Sequence, residues 1–540
     1  MKKTFLTHFG LVVTLASLLA GCTGMNAALV RASATVASSP SPGATGTPSP
    51  VPSATAAQPV AWAPWPSIAW STATPEQVGM DSERLLTLLD FLEQQDLELH
   101  SLLIVRRGYL VFDLNLYPST AATPQEIQSA TKSVTSALYG MALQDGTIKS
   151  LDQSVLSFFP KRVVANLDTR KEDITLRDLL TMTSGLDWPE ASISYASRDN
   201  PVRAMFTSND PVQYVLDRPM VATPGTTFNY NTGNSQLLGA ILEEASGETL
   251  SAYADRNLFE PLGIHTYTWQ RIHGSESGGS GLALTPRDMA KLGYLYLRGG
   301  LWAGQQLLPA SWIAQSTVSR IAAPSGGYGY QWWINSNGGY SALGFGGQAI
   351  QVYPADDLVV VATGAMNAAQ RTTLHNLEQY FVLPAVVSNT SLPPVEGSAT
   401  LKARLQAAAA PPAAQDPPAL PGLAAQIAGQ TYALDINALN WKSIKLEFAS
   451  KSDAALTVEY TTGGSARIPI GLDGVPRVAQ GLRTAVVGEW DDEQTFTMKY
   501  ETLGSADGET IDMAFAGKEV KVTVTSYVQG DVSHIKGESK

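Results

Sequence analysis

A proline- and alanine-rich run, AAAAPPAAQDPPALPG, interrupts the chain within residues 400–424, and the spacing of apolar residues differs on its two sides. Proline at that density suits neither a helix interior nor a central strand, because each one removes a backbone donor. Before the run, several segments have helical periodicity. MDSERLLTLLDFLEQQ (80–95) places Leu85, Leu88, Leu89 and Leu92 on one face. SATKSVTSALYGMALQDG (129–146) does the same with Val134, Ala137, Leu138 and Met141, and Gly146 terminates it. Further helices are predicted over 176–185, 234–247, 285–300 and 374–387. SLLIVRRGYLVFDLN (101–115) reads as a hairpin turning near Arg107-Gly108, and YGYQWWI (328–334), QAIQVYPA (348–355) and DLVVVATG (357–364) read as strands. Strands at both ends with helices between them predict an α+β class with a largely antiparallel sheet. After the run, segments such as SIKLEF, AALTVEY, QTFTMKY and KEVKVTV alternate and are separated by Gly or Asp turns, the pattern of an all-β barrel or sandwich.

The N-terminus reads as an address. Lys2 and Lys3 precede an apolar stretch from Leu11 to Ala20, too short for an ordinary membrane span and followed by small residues. Leu19-Ala20-Gly21-Cys22 resembles the lipobox of bacterial lipoproteins, which implies lipidation of Cys22, the only cysteine, and an exported, extracytoplasmic, lipid-anchored protein. The Ser-, Pro-, Ala- and Thr-rich stretch that follows buries too little apolar surface to offset its chain entropy. The expected organisation is a signal and lipobox over 1–22, a tether over 23–66, a mixed domain over 67–390, a linker over 391–424 and a barrel-like domain over 425–540.

Lys plus Arg is 36 and Asp plus Glu is 48, a net charge of −12, which argues against a nucleic-acid partner. One cysteine excludes thiolate metal clusters, and the six histidines have no ligand spacing, so neither a metal nor another cofactor is expected. Oligomeric state is not legible.

Three features carry chemistry. Ser129-Ala130-Thr131-Lys132 sets a hydroxyl and an amine on one helix face, with Ser129 at the positive end of the helix dipole. A partly buried lysine there can be neutral enough to accept the serine proton. A second match, Ser533-His534-Ile535-Lys536, has no helix after it. Tyr230 sits where a loop enters a helix, and a phenol with its pKa lowered by the adjacent lysine would share the proton traffic. Gly344-Phe345-Gly346-Gly347-Gln348 precedes a strand and lets backbone approach a ligand. The backbone N–H groups of Ser129 and Gln348 are the candidate oxyanion donors.

These segments, with ITLRDLLTMTSGLDW (174–188) and GGSGLALTPRDMAKLGYLYLRGG (278–300), occur in the order found in the serine β-lactamase and penicillin-binding-protein superfamily. The region 75–390 resembles its class C-like branch, most of all the 6-aminohexanoate-dimer hydrolase and esterase relatives. The resemblance implies a sheet flanked by helices with a helical subdomain. It also implies Ser129 as nucleophile, Lys132 as base or electrostatic partner and Tyr230 as general acid/base. The C-terminal region resembles the lipocalin-like barrels appended to some of these hydrolases.

Two departures bear on substrate. The family's Tyr-x-Asn is Tyr230-Asn231-Thr232 here, leaving Thr232, Asn231 or Asn234 to stand in for the amide. The place of Lys-Thr-Gly holds Phe345-Gly346-Gly347, without the cation that grips a β-lactam carboxylate. Trp188 and Trp332-Trp333 are candidate cleft walls. The expected activity is hydrolysis of a small ester, amide or peptide-like substrate through an acyl-enzyme. A β-lactamase or D-Ala-D-Ala peptidase, and a non-catalytic binding lipoprotein of the same fold, are the alternatives.

Overall fold

The computed structural model describes residues 59–540 except Asp96, Ser325, Gln480 and Lys540. The signal, Cys22 and the tether up to residue 58 lie outside the described residues. Among the described residues no helix is long and apolar enough to cross a membrane.

The main sheet of the first domain has nine strands: β1 (Ser71–Thr72), β2 (Leu99–Arg106), β3 (Tyr109–Asn115), β4 (Ile321–Ala323), β5 (Gly326–Tyr328), β6 (Trp333–Ile334), β7 (Tyr340–Gly344), β8 (Gln348–Tyr353) and β9 (Leu358–Gly364). Their spatial order is β1-β3-β2-β9-β8-β7-β6-β5-β4, antiparallel throughout except for the short β1–β3 pair. Successive side chains point to opposite faces, so Leu103, Val105, Val359 and Val361 join one apolar cluster while Leu102, Ile104, Leu358 and Val360 join another. Burial on both faces explains why these strands read as continuous apolar runs.

Helix α1 (Ser82–Gln94) covers one face with Leu85, Leu88 and Leu89. The other face receives α2 (Thr131–Asp145) and α4 (Pro286–Leu297), and α3 (Thr232–Ser246) packs against α2 in the same apolar cluster. In α4, Gly293 allows close approach to the sheet, since an added Cβ would stand 2.6 Å from Val359.

The structure departs from these expectations most clearly at three places. YGYQWWI is not one strand, because Gln331 has φ +62 between β5 and β6. Its side-chain Nε2 donates to the carbonyls of Leu179 and Leu180, and its own carbonyl accepts from Ser133 Oγ, which fixes the break. Trp332 is thereby buried in the core and Trp333 is freed to stack on Tyr230. Within 391–424, Glu396–Ala408 forms α5, whose Leu401 and Leu405 are buried and whose Arg404 pairs with Asp90 and Glu93 of α1. Before residue 67, Val60 N donates to Asn389 O and Ala63 is buried, so the fold begins earlier than the tether boundary drawn from composition.

The C-terminal strands are β10 (Thr431–Leu434), β11 (Trp441–Phe448), β12 (Asp453–Tyr460), β13 (Ser465–Gly471), β14 (Arg477–Ala479), β15 (Thr484–Trp490), β16 (Thr495–Thr502), β17 (Gly508–Ala516), β18 (Glu519–Ser526) and β19 (Val532–Ser539). Strand β19 pairs with β10, and a parallel contact between Gly471 and Val487 joins β13 to β15. Nine strands thus close a barrel, with β14 attached to β15. Inward residues such as Leu456, Ile468, Met513 and Val522 form one apolar cluster, so side chains fill the barrel as a core.

Candidate active site

The chain enters the site along Gln125–Glu126, which pairs with Ala283 and Leu284, and continues through a 3-10 turn at Gln128–Ala130 into α2. Gln128, immediately before Ser129, has φ +49, a left-handed conformation that costs a non-glycine residue roughly 1–2 kcal/mol. The turn leaves Ser129 partly exposed at the positive end of α2, while Thr131 to Ala142 is buried on every side.

Lys132 is 2% exposed, and its Nζ donates to Ser129 Oγ at 2.9 Å, to Thr232 Oγ1 at 3.1 Å and to Gly279 O at 3.0 Å. Burial lowers its pKa to about 8, against the opposing pull of the Glu190 carboxylate. Tyr230 stacks on Trp333 with ring centroids 5.6 Å apart and has Lys132 Nζ 5.0 Å from its ring centre, and the Ser129 hydroxyl exerts a small downward pull on its pKa. Its pKa is raised by burial and then by Glu190, the reverse of the lowering expected from its lysine neighbour. The phenol is therefore held protonated, and of the pair it is Lys132 that can be a base at neutral pH.

Glu190 was not singled out by sequence reasoning. It is 1% exposed, and all its acceptor capacity is used. Oε1 accepts from Thr232 Oγ1 and Tyr195 OH, each at 2.7 Å, and Oε2 accepts from Thr232 N and Trp188 Nε1, each at 2.7 Å. Thr232 thus bridges lysine and carboxylate, accepting from Nζ and donating to Glu190. Of Thr232, Asn231 and Asn234, Thr232 is the one whose side chain bonds Lys132. Asn231 caps α3 by accepting from Asn234 N at 3.0 Å.

Ser129, Gln128, Glu190, Tyr195, Thr232, Ser280 and Phe345 line a cavity of about 420 Å³, with Val202, Arg203, Phe206 and Thr207 from the Pro201–Thr207 helix. Gln529, from the barrel, completes it. Thr232 and Phe345 thus line the same cavity as Ser129. Trp188 is not a cleft wall: it is 1% exposed, packs against Gly233 and Tyr214, and its indole N–H holds Glu190. Gly346 and Gly347, at φ +77 and +94, lie outside the cavity lining and turn β7 into β8. Gly346 abuts Ala506 O of the barrel and Gly347 abuts Met366. Gln348 begins β8, paired with Gly344, which itself touches Ile127 and Gln128. The Gln348 side chain donates to Gly364 O at 2.5 Å and lines a different cavity, leaving only its backbone for a role near Ser129. A cation does line the site, Arg203, though from a different element than Lys-Thr-Gly would supply. Among the described residues no group of three or more His, Cys, Asp or Glu is placed to hold a metal.

The family model described as beta-lactamase matches residues 89–386. The chain is 25% identical over 339 residues to a 6-aminohexanoate-dimer hydrolase of Paenarthrobacter ureafaciens, covering 58% of this chain and 84% of the relative. It is 22% identical over 375 residues to a putative D-alanyl-D-alanine carboxypeptidase of Salmonella paratyphi B, covering 54% and 85%. Among solved structures, a putative 6-aminohexanoate-dimer hydrolase from Bacillus anthracis matches with a TM-score of 0.46 and 20% identity, covering 65% of this chain and 89% of that one. With the family model spanning more than half of its length, the chain belongs to the β-lactamase family.

Proposed function

We propose that the protein is a serine hydrolase that cleaves an ester or amide through an acyl-enzyme on Ser129. The observation that carries this reading is the 2.9 Å contact between Ser129 Oγ and a buried Lys132 whose pKa lies near 8. A neutral Lys132 accepts the Ser129 proton as Oγ attacks the carbonyl carbon. Backbone N–H groups of Ser129 and Gln348 receive the oxyanion. The protonated phenol of Tyr230 gives its proton to the departing alcohol or amine and regains one from Lys132. Water then attacks the acyl carbon, its proton passes to the same pair, and Ser129 leaves as a hydroxyl. No cofactor takes part. Export and a lipidated Cys22 belong to the same proposal and rest on the sequence alone. The test is a stopped-flow burst with nitrophenyl acetate and intact mass of the acylated chain. One acetyl group on Ser129, absent in Ser129→Ala, supports the reading, and undiminished turnover by Ser129→Ala rejects it.

A second reading is favoured by Arg203 in the cavity lining. A guanidinium there suits a substrate with a carboxylate at one end, such as a linear amide of an amino acid or a D-Ala-D-Ala peptide. Arg203→Ala would then weaken such substrates relative to neutral esters.

A further inference from the structure

Two loops of the barrel reach the Ser129 site. Between β16 and β17, Gly504 O accepts from Glu126 N at 2.7 Å, three residues before Ser129. In the same loop, Ala506 O lies so close to Gly346 that an added Cβ would stand 2.3 Å away. The barrel therefore braces both the segment entering the nucleophile turn and the glycine turn after β7. The second loop, between β18 and β19, carries Gln529, and Asp507 pins it. The Asp507 carboxylate accepts from Ser526 Oγ at 2.8 Å and from Val528 N at 3.2 Å, and Gln529 N donates to Ser526 Oγ at 3.2 Å. From this fixed loop Gln529 Oε1 accepts from Ser194 Oγ at 3.0 Å and from Ala196 N at 3.2 Å. These are the residues flanking Tyr195, which lines the cavity and bonds Glu190. The same cavity is lined by Val202, Phe206 and Phe345, an apolar set suited to an aliphatic chain.

We infer that the barrel is part of the substrate pocket, with Gln529 closing the wall at Ser194–Ala196 and setting how long an aliphatic acyl group fits beside Ser129. The inference rests on the reading of Ser129 as the acylated residue and adds the substrate class, esters or amides of medium-length aliphatic acids. Nothing in the reaction sequence changes: the barrel supplies a specificity-determining side chain and no reacting group.

The test uses the full chain with Gln529→Trp, which fills the wall, and Gln529→Ala, which opens it. Two readouts are taken: kcat/KM for nitrophenyl acetate, butyrate and octanoate, and calorimetric binding of octanoate and butyrate to the same substitutions in a Ser129→Ala background. Each methylene kept out of the cavity forfeits about a fourfold factor, so exclusion of two lowers the octanoate-to-acetate ratio about fifteenfold in Gln529→Trp. Gln529→Ala raises that ratio, and octanoate binding follows the same order. Unchanged ratios and binding in both variants, with melting temperatures equal to the parent's, overturn the inference. A parent that hydrolyses no ester while octanoate binding still responds at position 529 defeats the function reading and leaves the pocket standing. Ester turnover with neither readout moving does the reverse.

Discussion

Thr232→Val removes one hydroxyl and keeps the side-chain shape at the start of α3. The position is 3% exposed, so water does not replace the lost group. Two bonds vanish: Nζ of Lys132 to Oγ1 at 3.1 Å, and Oγ1 to Glu190 Oε1 at 2.7 Å. A hydrogen bond to a charged group contributes about 1.5–3 kcal/mol, and a pKa unit corresponds to about 1.4 kcal/mol. The neutral amine can also donate to Thr232, which cancels part of the difference, so the ammonium loses about one unit of preference. Lys132 should move from about 8 toward 7. Because the neutral amine is the base, kcat/KM rises with pH through this value. The acid limb of Thr232→Val therefore lies about one unit to lower pH. At pH 6 the variant keeps a share of its own plateau about tenfold larger than the parent does. Lys132 retains Ser129 Oγ and Gly279 O, and Glu190 Oε1 retains Tyr195 OH, so neither group is orphaned and the stability cost stays at the low end for two such bonds, about 3 kcal/mol, read as a denaturant midpoint. The assay is kcat/KM for nitrophenyl acetate from pH 5.5 to 9.5. A limb that stays in place, or moves to higher pH, refutes the assignment of Lys132 as the titrating base.

Other perturbations have equally definite outcomes. Tyr230→Phe keeps the stack on Trp333 and loses the acid, so kcat falls about 10²- to 10³-fold, and more for an amide than for an activated ester, in parallel turnover assays. Gly346→Ala forces a side chain onto φ +77 and against Ala506 O, which should lower stability by about 1–3 kcal/mol in urea titrations. Glu378 is buried, accepts from Tyr353 OH at 3.1 Å, and is raised by burial to about 8. Its folded-state pKa exceeds its unfolded value of about 4.3. The stabilisation it gives is complete below that value and is lost as pH climbs through 8. Glu378→Gln should flatten the fall in urea midpoint between pH 5 and 8, and an unchanged slope counts against this account.

Local chemistry was legible in the sequence where it depends on near neighbours. The serine and lysine are one helical turn apart, so their contact follows from the helix itself. The β2–β3 hairpin turns where Arg107-Gly108 permits it, at φ +49 and +81. Glu190 was not legible because it sits in a one-turn 3-10 segment without periodicity, and it meets Thr232 42 residues later only through tertiary packing. The Tyr230 shift was misread for a related reason: spacing shows the lysine beside it, but burial and the Glu190 charge arrive with the fold. Arg203 lies on a helix of only seven residues, too short for a pattern, and Gln529 comes from a turn of another domain. Trp188 illustrates the opposite error, an aromatic read as a wall that the chain turns inward to hold a carboxylate.

The central claim is that a buried, partly neutral Lys132 activates Ser129. The most direct measurement is the second-order rate at which a small fluorophosphonate modifies the full chain, followed across pH by intact mass and peptide mapping. The account predicts a single adduct on Ser129 whose rate rises through an inflection near pH 8 and disappears in Lys132→Met. A pH-independent rate, an adduct on another serine, or full reactivity in Lys132→Met would contradict it.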